Sequence, residues 1–153
     1  MSRFLFFILV LSIAGCKSTK KQSPSSVVII MMEKTSCMGT CPTYKFEVFL
    51  DKTARYIGKE NVENIGEFKA TLTDEQLDNL KNSFAEAEYF SFANVYSAQL
   101  TDLPTTFIYY HNGRESLKVT DYWGAPEELK ALEQKIEDFI GTVNWKKVNQ
   151  SSL

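Results

Sequence analysis

Asn112-Gly113 stands between two runs that alternate apolar and polar residues, Thr105 to His111 and Arg114 to Thr120. Both residues tolerate positive φ, which a tight hairpin turn needs, so the pair predicts two antiparallel strands. Hairpin connections exclude an all-parallel sheet and make antiparallel pairing the rule for the rest of the chain. A two-residue turn would set His111 against Arg114, Tyr110 against Glu115, Tyr109 against Ser116 and Ile108 against Leu117. Thr106, Ile108, Leu117 and Val119 then share one apolar face, with Phe107, Tyr109, His111, Arg114, Ser116 and Lys118 on the other. His111, the single histidine, is expected near the turn on the wetter face, which argues against a triad or metal role.

The remaining elements follow from the same periodicities. Val27 to Glu33 is a β-branched apolar run of strand length. After an interruption at Thr35 to Pro42, Tyr44, Phe46, Val48 and Leu50 alternate with polar neighbours, which predicts a strand with one buried face. Asp51-Lys52-Thr53 turns the chain into Ala54 to Gly58, and a further strand is expected over Ile65 to Leu72. Thr73 and Gln76 have capping-box spacing, and Leu77, Leu80, Phe84 and Ala87 recur at helical spacing, so residues 74–88 are an amphipathic helix. Tyr89 to Leu103 reads as irregular. Pro126, Glu127 and Glu128 suit the start of a second helix, whose stripe is Leu129, Leu132, Ile136, Phe139 and Ile140 and whose end is placed at Gly141. The fold class is α+β: an antiparallel sheet of about five to six strands with two helices on one face, in the order β-β-β-(β)-α-β-β-α.

The first fifteen residues stand apart. Arg3 precedes the unbroken apolar run Phe4 to Leu11, which is shorter than the roughly 20 residues a membrane-spanning helix needs. A charged start, a short apolar stretch and small residues make a secretory signal. Its end, Ile13-Ala14-Gly15-Cys16, resembles the lipobox of bacterial lipoprotein signal peptides. That resemblance implies cleavage before Cys16, diacylglycerol on the Cys16 thiol and firm membrane attachment, since each buried CH₂ contributes about 0.8 kcal/mol. The expected organisation is a cleaved signal over 1–15, a lipidated cysteine and polar tether over 16–26, one α+β domain over 27–145 and a polar tail over 146–153. The location expected is the cell envelope, facing the periplasm. Lys17 stands where an aspartate would signal inner-membrane retention, which favours the outer membrane. Ser18 and Lys21 spell S-x-x-K, but in a tether the motif lacks the preformed cleft its chemistry requires.

Net charge is −2 over 153 residues with no basic face, which argues against nucleic acid as a partner. Aromatic residues make up 13% of the chain, enough to fill a core and leave some for a binding surface.

Cys37-Met38-Gly39-Thr40-Cys41-Pro42-Thr43-Tyr44 has the form C-x-G-x-C-P-x-Y, followed by a strand, a turn at Asp51 and Tyr56-x-Gly58. From this loop onward, over most of residues 30–145, the chain resembles an uncharacterised family of bacterial domains of unknown function. Lys52 stands where glycine is usual in it. The family brings no activity with it, and many of its members resemble lipoproteins.

Outside the cytoplasm Cys37 and Cys41 are expected to oxidise to a disulfide closing a five-residue loop, which contributes about 2 kcal/mol. The alternative is metal. C-x-x-x-C-P also resembles the copper-binding segment of thioredoxin-like copper chaperones, with Cys37, Cys41 and Met38 as ligands and Met31 and Met32 as further soft donors. Those proteins continue into a helix, whereas Tyr44 to Val48 alternates as a strand. A structural zinc site would want four ligands, more than this segment offers.

The carboxylates form no evident constellation. Glu127, Glu128, Glu133, Glu137 and Asp138 fall mostly on the polar face of the second helix, and Asp102 and Asp121 are read as turn residues, either of which would line a cleft with Tyr96 and Trp123. No catalytic residue and no cofactor beyond lipid on Cys16 are expected. The function expected is that of a non-enzymatic envelope module with a membrane anchor and, as partner, another envelope protein or a cell-wall component. Thiol-redox or copper handling by Cys37 and Cys41 is the alternative, and hydrolysis is the weakest reading.

Overall fold

The structure, a computed structural model, describes residues 27–148. The leader, Cys16 and the tether lie outside the described residues. The elements are β1 (Val28–Lys34), β2 (Thr43–Phe49), β3 (Thr53–Glu60), β4 (Gly66–Thr71), α1 (Asp74–Glu86), β5 (Val95–Tyr96), β6 (Thr106–His111), β7 (Ser116–Asp121), α2 (Glu127–Thr142) and β8 (Lys146–Lys147). They form one eight-stranded sheet in the order β5-β7-β6-β1-β2-β3-β4-β8, covered on one face by the two helices. β1 is central. It pairs antiparallel with β2 on one side and with β6 on the other, so the β1–β4 meander and the β6–β7 hairpin share a single core.

The fold is the expected α+β class, with a larger sheet than five or six strands. The excess is two strands of two residues each, too short to show a periodicity: β5 pairs parallel with β7, and β8 extends the β4 edge.

Cross-strand neighbours explain the core. Met32 lies between Phe46 and Ile108, Phe46 faces Tyr56, and Tyr56 faces Phe68. These side chains are buried on the helix side, where Leu77, Leu80 and Phe84 of α1 and Leu129, Leu132 and Ile136 of α2 pack on them. The high aromatic content fills this layer. Tyr44 stacks on Tyr56 at 5.5 Å, and Trp145 meets the Phe46 edge at 6.1 Å. Tyr89 is completely enclosed and satisfies its hydroxyl by donating to the Ile108 carbonyl at 2.9 Å.

Three local readings need adjustment. The hairpin loop runs over four residues, not two, because the Asn112 side-chain oxygen accepts from the backbone N–H groups of Arg114 and Glu115 and closes the wider turn. The register becomes His111 with Ser116 and Ile108 with Val119. A slip of two residues preserves which face each side chain takes, so Ile108 and Val119 remain in the core. His111 is half-buried at the end of its strand, with Nδ1 3.0 Å from the Glu115 carbonyl oxygen. Gly141 does not end α2, which runs through Thr142. Lys52 takes the left-handed conformation, φ 67°, in the turn between β2 and β3.

Candidate functional site

Gly58 sits where no other residue fits. A Cβ there would lie 1.8 Å from the Asn64 carbonyl oxygen, so only glycine allows the β3–β4 connection to fold against its strand. Two residues earlier, Tyr56 belongs to the aromatic core.

Cys37 and Cys41 are joined in a disulfide with Cα atoms 5.8 Å apart. The loop they close is pinned on two sides. Asn61 donates from its side-chain nitrogen to the Cys41 carbonyl at 3.1 Å. Across the sheet end, Thr35 N–H donates to the Thr105 carbonyl at 3.0 Å, Thr105 N–H returns to the Thr35 hydroxyl at 2.9 Å, and Met38 N–H reaches the Asp102 carbonyl at 3.3 Å. The soft donors weighed for copper are not brought together. Met31 and Met32 point to opposite faces of β1, Met32 is enclosed in the core, and Met38 is 82% exposed.

The pinned loop is one wall of a cleft of about 490 Å³. Cys41 and Pro42 line it together with Leu103, Pro104 and the exposed Trp123. The floor carries Lys34, Asp121, Lys130 and Glu133. A broader depression of about 1040 Å³ lies toward the β4–β8 edge, where Arg55, Lys69 and Lys146 are its only ionisable lining groups. Volume alone does not make a site, and the chemistry is concentrated in the smaller cleft.

Asp121 and Glu133 are the unexpected pair. Both are buried, at 3% and 5% exposure. Asp121 ends β7 in phase with Val119, and Glu133 lies four residues after Leu129 and next to Leu132, within the apolar stripe of α2. Neither is the solvated or turn residue that its type suggests. Lys130 joins them, pairing with Asp121 and donating to Glu133 at 3.3 Å. One ammonium does not satisfy two carboxylates. Asp121 Oδ1 and Glu133 Oε1 are buried and lack a donor, and a single proton held between the acids would supply one to both. Burial pushes the Glu133 carboxyl up to about 7, the neighbouring Asp121 adds to this, and Lys130 acts against it. Burial also works against the Lys130 charge, but the bond to Asp121 and the two acidic neighbours outweigh it and raise its pKa.

A second charged unit adjoins the first. Lys34 pairs with Glu137, and Glu137 accepts from the Tyr44 hydroxyl at 3.0 Å. Burial, then the Glu137 charge, hold that phenol protonated well above its ordinary range. Tyr44 closes the Cys37–Tyr44 segment, which therefore both lines the cleft and supports its charged groups.

Of the other residues weighed from sequence, Trp123 and Asp121 both line the cleft, whereas the sequence reading makes Asp121 a turn residue. Tyr96 does not line it; its hydroxyl accepts from Ala93 N–H, and its carbonyl accepts from the N–H groups of Tyr122 and Trp123 at 2.9 and 3.3 Å. Asp102 is a turn residue, with φ 73°. Glu127, Glu128 and Asp138 are exposed, and Glu137 is half-buried. The signals for Asp121 and Glu133 were positional: an acid in phase with an apolar strand face, and an acid at i+4 in an apolar helix stripe.

The cleft sits where β1 and β7 end and β2 and β6 begin. Val27 is at the other end of β1, and seven strand residues separate the two by about 20 Å. Among the described residues no helix is long and apolar enough to cross a membrane, and no group of three or more His, Cys, Asp and Glu side chains is placed to hold a metal.

No curated protein matches the chain. The sequence model of one family, described as a domain of unknown function (DUF6438), matches residues 28–140, from the first residue of β1 to the last turn of α2, and the chain belongs to that family.

Proposed function

We propose that the protein is a lipoprotein of the bacterial envelope, held by lipid on Cys16, whose domain binds another envelope component in the cleft between the disulfide loop and Trp123. The observation that carries this reading is the cleft itself, where two buried acids, one lysine and an exposed indole meet at one end of the sheet. Folding alone gives no reason to enclose two carboxylates with one cation, since an apolar pair of similar volume is often more stable. Buried charges of this kind, gathered in a cleft, mark functional sites. The tether leaves from the opposite end of β1, so an anchor at Cys16 would present the cleft away from the membrane, toward the periplasm. Lys17 after the acceptor favours the outer membrane.

A photoreactive phenylalanine analogue at Leu103, in the cleft wall, tests both parts in living cells, with the same analogue at the exposed Glu75 of α1 as control. Irradiation is expected to give an adduct from position 103 only, and Cys16→Ala is expected to release the protein from the membrane fraction and abolish that adduct. Equal crosslinking from both positions would refute the cleft, and unchanged membrane partition of Cys16→Ala would refute the anchor.

A further inference from the structure

We infer that the cleft takes a neutral saccharide, a pyranose ring stacking on Trp123 while its hydroxyls hydrogen-bond to the charged floor; this rests on the reading of the cleft as the ligand site. The charge balance argues for a neutral ligand. Both lysines of the floor already have partners in the chain: Lys130 on Asp121 and Glu133, and Lys34 on Glu137. With one proton between Asp121 and Glu133, the acids match the two lysines and the floor carries no net charge. An ionised ligand would bring a charge that this balanced set does not complement. A polyol does not. The Lys130 side chain stays 47% exposed, so its ammonium keeps N–H capacity for an incoming hydroxyl.

Trp123 argues for a ring. Its indole is 55% exposed and takes no part in the aromatic pairs of the core. Its backbone is nevertheless fixed, because the Tyr96 carbonyl accepts from both Tyr122 and Trp123, and the Tyr122 hydroxyl donates to the Leu100 carbonyl at 2.7 Å. Gly124, at φ +80°, turns the chain away immediately after it. A large apolar face exposed beside a cleft on a fixed backbone is a platform, and its electron-rich surface suits the polarised C–H groups along one side of a sugar ring. The volume, about 490 Å³, lies within the range of small-molecule sites. Mostly apolar walls with a few convergent polar groups at the base fit a ligand that has one face of each kind.

The test uses the mature, lipidated chain in detergent micelles, titrated by calorimetry and tryptophan emission. The probes are cellotetraose, maltotetraose and the β-1,4-linked tetramer of N-acetylglucosamine, beside tetraglycine and inorganic phosphate. At least one neutral tetrasaccharide is expected to bind saturably and shift the emission of Trp123. Trp123→Ala should weaken that binding about tenfold, while Trp123→Phe, which keeps a ring face, retains most of it. Emission from the half-buried Trp145 reports that each variant is folded. Failure of all three saccharides, or undiminished binding by Trp123→Ala, overturns the inference. Binding of tetraglycine or phosphate with a Trp123 response would overturn the saccharide assignment and leave the cleft standing as a ligand site.

Discussion

Replacing Glu133 with glutamine should change how stability depends on pH, in a direction opposite to that of most acidic residues. The Glu133 carboxyl is pushed from its ordinary 4.5 up to about 7 in the folded protein. The folded state therefore holds this proton more tightly than the unfolded chain does. Its contribution is fully present below pH 4.5 and is lost as pH rises through 7. At about 1.4 kcal/mol per pKa unit, the swing is about 3 kcal/mol. A glutamine has nearly the same shape, donates to Asp121, accepts from Lys130 and does not titrate. Urea unfolding of both proteins from pH 4 to 8.5, extrapolated to zero denaturant, measures the difference. Glu47 cancels in it: burial raises its pKa, hydrogen bonds from Lys45 and Arg55 more than offset this, and the net lowering is common to both proteins. Relative to wild type, Glu133→Gln should gain about 3 kcal/mol between pH 4 and 8.5. A difference that stays flat over this range, or falls with pH, would refute the shared proton.

Three further outcomes follow from local geometry. Gly58→Ala should destabilise the domain by about 3 kcal/mol or prevent its folding, read from the urea midpoint, because the new methyl meets the Asn64 backbone rather than a movable side chain. Lys52→Gly should stabilise it by about 1 kcal/mol, seen as a higher melting temperature, because relief of the left-handed φ outweighs loss of the exposed pair with Asp74. Cys37→Ser with Cys41→Ser should lower the unfolding free energy by about 2 kcal/mol, and reducing agent should have no further effect on that variant.

Much of the fold was legible because it follows short-range rules. The Thr73–Gln76 capping box is present as the spacing predicts, with Gln76 N–H donating to the Thr73 hydroxyl at 3.1 Å. Tyr44, Phe46 and Val48 alternate into the core because a strand has no other way to bury them. What was not legible depends on tertiary contact. The hairpin register turned on the Asn112 side chain, whose two backbone bonds outweighed the intrinsic preference for a two-residue turn. β5 and β8 exist only because an edge was free to pair with them. In the site, the disulfide alone follows from residue type. Asp121 and Glu133 were passed over because acids on a turn and on a helix are usually solvated. Their phase with Val119 and Leu129 pointed inward, and at these two positions phase outranks residue type.

Titration of the side-chain carboxyl carbons by ¹³C NMR tests most directly the claim that one proton is held between two acids beneath the cleft. Assigned through Glu133→Gln, the Glu133 signal should titrate with a midpoint near 7. A Glu133 midpoint near its ordinary 4.5 would contradict the account.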